Sequence, residues 1–283
     1  MPASQESSLK TLGIVAGSGA LPQKLMHACD RKGIECFVVG LEGQTDPSVV
    51  EGRNHLWSRI GAAGSIMKTL KQHDIRDIVM IGSIRRPSLL ELKPDLKTTE
   101  FFARVGLKAL GDNGLLEAMR KYLEEEGFVL HGVHEFIDDL LVREGMLGKY
   151  KPKAEDWIDI KYGIDVSQAV GAFDIGQSVI VQNGYVLGIE AAEGTDELIM
   201  RCRYLQREGR GGILVKSCKP QQDRDLDLPT IGPETMRLAI ENGLAGIAVQ
   251  AGATLVIDPE MIAEMADRAK MFVAGINVPV IMP

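Results

Sequence analysis

The sequence predicts an α/β protein of two domains, and three observations carry the prediction. In its first half, short β-branched apolar runs alternate with longer amphipathic stretches, the βαβ rhythm of a parallel sheet covered by helices. Residues 142–155, VREGMLGKYKPKAE, then combine charge, two glycines and a proline with no sustained period, which is linker composition. A second series of strands and helices follows. The expected layout is a Rossmann-like N-terminal domain over 1–141, a linker over 142–155 and a C-terminal α/β domain over 156–283.

Taken in order, TLGIVAG reads as a strand, Leu21 to Lys32 as a helix, CFVVGL as a strand, Ala62 to His73 as a helix and DIVMIGS as a strand. Helices are expected over Thr98 to Leu110 and Asn113 to Glu126. In the second of these, Leu115, Leu116, Met119, Tyr122 and Leu123 keep a helical period, with Gly127 as the residue after its end, before the strand FVLHGV. Beyond the linker come a helix from Trp157 to Ala172, then SVIVQNG and YVLGIEA as a hairpin closed by Asn183-Gly184. A helix near Glu197 to Gln206 and the strand GGILVKS follow. The helix Pro233 to Asn242 has proline at its first position and Gly243 past its end. Strands GIAVQ and TLVID, a helix from Pro259 to Lys270 and the strand FVAGI complete the chain.

A chain of 283 residues, 45% of them hydrophobic, can bury one large core or two ordinary ones. Its 32 Lys and Arg against 39 Asp and Glu leave a net charge of −7, which disfavours global attraction to nucleic acid or to anionic lipid. Cys29, Cys36, Cys202 and Cys218 show neither CxxC spacing nor a Cys/His cluster, so reduced thiols are expected rather than zinc or disulfides. With neither a signal peptide nor a run of apolar residues long enough to span a bilayer, a cytoplasmic protein is expected.

Five segments have the residue types for chemistry. GIVAGSGALP offers the backbone N–H groups of Gly17, Ser18 and Gly19 to a phosphate or ribose, although it lacks the third glycine of the dinucleotide fingerprint and serves equally as a tight turn. GSIRRP places Arg85 and Arg86 at a strand end, suited to a diphosphate or to ion pairs. Asp112 and Asn113 of GDNG fit a helix cap or a sugar contact. In IEAAEGTDEL, Glu190, Glu193, Thr195 and Asp196 lie between a strand and a helix, where carboxylates complement a helix dipole, hold a hard cation or act as a base.

The least ordinary segment is KSCKPQQDRDLDLPTIGP, residues 216–233. Lys216 and Lys219 suit phosphate oxygens, and Asp223, Asp225 and Asp227 suit Mg²⁺ or an attacking water. A solvated charged loop has the same composition. The flanking strand and helix, with Pro229, Gly232 and Pro233 fixing the chain, argue for a ligand site instead.

With KPQQDRDLDLPTIGP joined in order to GIVAGSGALP, IRRP, GDNGLL, HGVHE, DIGQ and EAAEGTDEL, the chain resembles the UDP-2,3-diacylglucosamine pyrophosphatases of the LpxI type over nearly its whole length. The resemblance implies hydrolysis of UDP-2,3-diacylglucosamine to UMP and 2,3-diacylglucosamine 1-phosphate (lipid X) in lipid A synthesis, with a divalent cation such as Mg²⁺ and attack of water on the β-phosphorus. It also implies a ligand site in the cleft between the domains, a peripheral contact with the inner membrane and room for a homodimer. Among the aspartates it singles out Asp227, the one before LPTIG. The site expected on this basis has Asp227, Lys216 and Lys219 as catalytic residues and Gly17, Ser18, Gly19, Arg86, Asp112, Thr195 and Gln222 as substrate contacts. Asp227, Glu190 and Glu193 are the expected metal ligands. The rival of another class is a non-catalytic carrier or sensor for a nucleotide sugar or lipid, which would form no product.

Overall fold

The computed structural model of the chain describes residues 9–85, 92–105 and 112–278. It divides into two compact units, Met1–Asp138 and Asp139–Pro283.

The first unit runs β1 (Thr11–Ala16), α1 (Leu21–Lys32), β2 (Glu35–Leu41), β3 (Asn54–Ser58), α2 (Ala63–Gln72), β4 (Asp77–Ile81), α3 (Leu96–Val105), α4 (Asp112–Glu125) and β5 (Val129–Leu130). Its five strands pair in the order β3-β2-β1-β4-β5, parallel throughout, as the Rossmann-like reading requires. Strand β3 was not expected. Its sequence NHLWS has no β-branched residue, and Asn54 and His55 are exposed on the sheet edge, so no strand period stands out. Gly33 closes α1 in the left-handed conformation, with Ile34 N donating to Cys29 O at 2.9 Å.

At the end of β5, His131 lies between two carboxylates. Its Nε2 is 2.8 Å from Asp77 Oδ1 and its Nδ1 3.1 Å from Glu135 Oε2. Burial opposes charging, but the hydrogen bonds and charges of Asp77 and Glu135 outweigh it, so the imidazole titrates above its ordinary 6.5. A group raised in the folded state stabilises most below its unfolded pKa, and that stabilisation is lost as pH rises through the folded one. The stability gap between wild type and His131→Gln should therefore be widest below the ordinary imidazole pKa of about 6.5 and shrink as pH rises above it in chemical denaturation. A gap independent of pH would show that the imidazolium is not what these carboxylates hold.

The second unit contains β6 (Gly145–Met146), α5 (Ala154–Ala172), β7 (Ser178–Gln182), β8 (Tyr185–Ile189), α6 (Thr195–Cys202), β9 (Ile213–Lys216), β10 (Thr230–Ile231), α7 (Pro233–Glu241), β11 (Gly246–Gln250), β12 (Leu255–Val256), α8 (Pro259–Ala269) and β13 (Phe272–Ile276). Six strands form one mixed sheet in the order β6-β13-β11-β9-β7-β8, with β9, β11 and β13 parallel at its centre. Strand alternation puts Val179, Val181, Ile213, Val215 and Phe272 on the face packed with Ile160 of α5. Ile180, Leu214, Ile247 and Val273 on the other face pack with Leu198 of α6, Met236 of α7 and Ile262 of α8. The hairpin forms as its Asn-Gly pair predicts. Asn183 and Gly184 both have positive φ, at 52° and 75°, and both of their N–H groups donate to the Asp159 carboxylate at 2.7 Å.

Residues 142–155 do not behave as a free linker. Val142 is buried in the core of the second unit and its N–H donates to Thr254 O at 2.9 Å. Gly145–Met146 pairs antiparallel with β13, Lys149 N donates to Asp267 Oδ1 at 2.7 Å, and Glu155 is already inside α5. Backbone hydrogen bonds hold this segment while most of its charged side chains face water, so composition alone makes it look unstructured. The expected strand TLVID is also shorter than predicted. Only Leu255–Val256 is extended, and it pairs with β10 outside the main sheet.

Candidate functional site

In an open sheet with parallel strands, ligands meet the carboxyl ends of those strands. Lys216 is the last residue of β9, in register with Ser178 of β7 and Val249 of β11. The chain beyond it is pinned residue by residue. Ser217 Oγ lies 2.7 Å from Ser167 Oγ and accepts from Gln168 Nε2 at 2.9 Å, and Cys218 N donates to Gln250 Oε1 at 2.9 Å. The far end of the loop is anchored by the β10–β12 pair, with Leu255 N donating to Pro229 O at 2.8 Å and Ile257 N to Ile231 O at 2.9 Å. The TI of the DLPTIG element is thus itself a strand.

Within this loop the charged residues separate into distinct roles. Lys219 Nζ is 2.6 Å from Asp174 Oδ1, and its side chain is only 9% exposed. Gln222 braces the turn, since its Oε1 accepts from Lys219 N at 2.9 Å and its Nε2 donates to Asp227 Oδ2 at 2.7 Å. Asp223 is part of the turn as well, its Oδ1 accepting from Asp225 N and Leu226 N at 2.9 and 3.2 Å. Asp227 is half-buried, and its Oδ1 has no hydrogen-bond partner among the described residues. Burial pushes the Cys218 thiol up to about 11, so it is no nucleophile at neutral pH.

Lys216 is buried at 6% exposure and donates from Nζ to Thr195 Oγ1 at 2.8 Å. Thr195, the first residue of α6, donates in turn to Glu190 Oε1 at 2.7 Å. The other carboxylate oxygen of Glu190 accepts from Gln177 N at 3.2 Å. Burial lowers the Lys216 ammonium below the ordinary lysine range, against the pull of Glu190, Asp196 and Asp227.

The three expected metal ligands do not form a set. Glu193 is held by Arg201, whose Nε and Nη2 lie 3.1 and 2.8 Å from Oε1. A backbone N–H bond and Arg201 lower its carboxyl below the usual range. Glu190 is committed to Thr195 and Gln177, and among the described residues no group of three His, Cys, Asp or Glu side chains is placed to hold a metal ion. A three-carboxylate cation site therefore does not fit these residues. A cation that takes one carboxylate from the protein and its other ligands from substrate phosphates and water fits Asp227.

On the first unit, Gly17, Ser18 and Gly19 lie at the end of β1 beside β4, where the strand order reverses. Ser18 and Ser83 exchange backbone hydrogen bonds at 2.8 and 3.0 Å, and Ser18 Oγ also donates to Ser83 O at 2.9 Å. A Cβ on Gly17 would come 2.6 Å from Ser83 O, so that glycine is required by the approach of two loops. Arg85 is held through its backbone by the Gln44 side chain. Arg86 lies outside the described residues, as does the side chain of Asp112, whose backbone begins α4.

DIGQ had no assigned part in the sequence reading, and the structure supplies one. Asp174 pairs with Lys219, Gly176 lets the chain pass the backbone of Glu190, and Gln177 N holds the Glu190 carboxylate. Its only signal was its place in the ordered set of motifs.

A parallel Rossmann-like unit followed by a mixed-sheet α/β unit, whose β9 and the anchored loop after it carry Lys216, Lys219 and Asp227, defines a two-domain α/β protein. The LpxI N-terminal domain model matches residues 11–140 and the LpxI C-terminal domain model residues 143–274, and the chain belongs to the LpxI family. A UDP-2,3-diacylglucosamine pyrophosphatase LpxI of Caulobacter vibrioides is 36% identical over 278 residues, covering 95% of this chain and 98% of that relative.

Proposed function

We propose that this protein hydrolyses the diphosphate of UDP-2,3-diacylglucosamine to UMP and 2,3-diacylglucosamine 1-phosphate (lipid X), a step of lipid A synthesis. The observation that carries the reading is the loop from Lys216 to Pro233, in a chain similar throughout to a relative named for that activity. In this reading Lys216 and Lys219 neutralise the diphosphate, because attack by water on a polyanion is repelled until its charge is offset. Asp227 Oδ1 faces the reacting groups and orients the attacking water. A divalent cation such as Mg²⁺, held by the same oxygen, would draw charge from the phosphate oxygens. Thr195 and Gln222 then act from behind, on Lys216 and Asp227, while Gly17, Ser18 and Gly19 keep their part as substrate contacts.

The lipid character of the substrate finds support beside the lysines. Phe173 and Ile175 are 81% and 54% exposed on either side of Asp174, the partner of Lys219, and offer apolar surface next to the charged loop. No helix among the described residues is long and apolar enough to cross a membrane. A cytoplasmic enzyme reaching its substrate by peripheral contact with the membrane suits this reading.

The deciding assay follows products by mass spectrometry in H₂¹⁸O. Label in the lipid 1-phosphate is the expected result and places attack on the β-phosphorus; label in UMP would move it to the other phosphorus. Binding without products would establish the carrier reading instead. Chelation with EDTA should lower turnover and added Mg²⁺ restore it, whereas an unchanged rate would remove the cation and leave the hydrolysis.

A further inference from the structure

Lys216 is nine-tenths buried, and among the described residues its Nζ makes one hydrogen bond, to Thr195 Oγ1. When protonated against a diphosphate, Nζ carries three donors, two of them left for the ligand. The direction of that bond is fixed by chemistry. Thr195 Oγ1 donates its single proton to Glu190 Oε1 at 2.7 Å, so what it offers to Lys216 Nζ, and to Ser178 Oγ at 3.4 Å, is lone pairs. Glu190 is itself buried at 7% exposure and fixed from both sides, by Gln177 N on one oxygen and by its own N–H to Ser178 O at 2.8 Å.

We infer that Thr195 and Glu190 are positioning residues, a one-way chain that holds the Lys216 ammonium in a single orientation with two N–H groups presented to the substrate diphosphate. This assigns Thr195 a partner in the protein, and it gives Glu190 a task that leaves it no part in binding a cation. A threonine suits the place better than a longer polar residue, because its β-branch restricts the hydroxyl to few rotamers at the start of α6. The inference rests on the hydrolytic reading of the same site.

The test compares wild type with Thr195→Ser, Thr195→Val and Glu190→Gln, reading kcat and KM for UDP-2,3-diacylglucosamine, the thermal midpoint, and the ¹⁵N–¹H signal of the Lys216 ammonium. Thr195→Val, nearly isosteric but without the acceptor, should lose about 10- to 100-fold in kcat, the range of a hydrogen bond to a charged group, with its thermal midpoint kept. Thr195→Ser should recover most of that loss, and Glu190→Gln should fall between. The Lys216 signal should move in Thr195→Val and stay in Thr195→Ser. Full kcat in a folded Thr195→Val, or an equal loss in Thr195→Ser, overturns the inference. If wild type forms no product, the hydrolytic reading is what fails. The Lys216 signal still decides the chain in that case: movement in Thr195→Val alone supports it, and no movement ends it.

Discussion

Asp227→Asn is expected to lose on the order of 10³-fold or more in kcat while folding normally, the scale of removing a general base or a cation's anchoring carboxylate. The asparagine oxygen can still accept from Gln222 Nε2, so the brace that shapes the turn persists. What changes is the other position, where an open carboxylate oxygen becomes an amide nitrogen that neither takes a proton nor binds a cation. Because the β10–β12 pair and the bond from Asp227 N to Asp223 O at 3.0 Å hold the backbone, the thermal midpoint should stay close to wild type. Product formation within about tenfold of wild type would show that Asp227 is not the reacting group. Asp223→Asn should be far milder, since Asp223 serves the turn through its bonds to backbone N–H groups, which the asparagine oxygen can still accept.

Gly176→Ala should destabilise the protein by about 3 kcal/mol and disable the site with it. A Cβ there would fall 2.0 Å from Glu190 O and 2.7 Å from Glu190 C, both backbone atoms that no rotamer change can move aside. Relief requires parting the chain before β7 from the end of β8, where Glu190 N bonds Ser178 O at 2.8 Å and Gln177 N bonds the Glu190 carboxylate. That motion would release Thr195 and Lys216 in turn. Urea denaturation and turnover measured on one preparation should both show the loss; an unchanged denaturation midpoint would mean that the strands part there at no cost.

The fold was legible wherever a side-chain period or a turn signature sets the backbone. The Asn183-Gly184 hairpin and the Gly127 and Gly243 helix ends are such places, the two glycines having φ of 88° and 71°. It was illegible in strands too short or too irregular to show a side-chain period, as at β3, at β6 in the supposed linker, and at the two-residue β10, whose Ile231 is nonetheless buried in the core. The charged members of the site could be picked out, but not their division of labour. Glu190 and Glu193 lie three positions apart, yet one is buried against Thr195 and the other paired with Arg201 in the open. Spacing could not distinguish them, because the difference arises from Gln177, just before β7, and Ser178, its first residue.

The loop between Lys216 and Thr230 is fastened at both ends, by β9 at one and by the two residue pairs of β10 and β12 at the other, and braced inside by Gln222. Its conformational entropy is consequently spent when the domain folds and not when a ligand arrives. A loop ordered only on binding would surrender part of every contact it made to its own immobilisation, whereas this one brings its charges to the encounter already arranged. Weakening the β10–β12 ladder, with Lys216 and Asp227 left in place, would therefore act as an affinity mutation made at a distance.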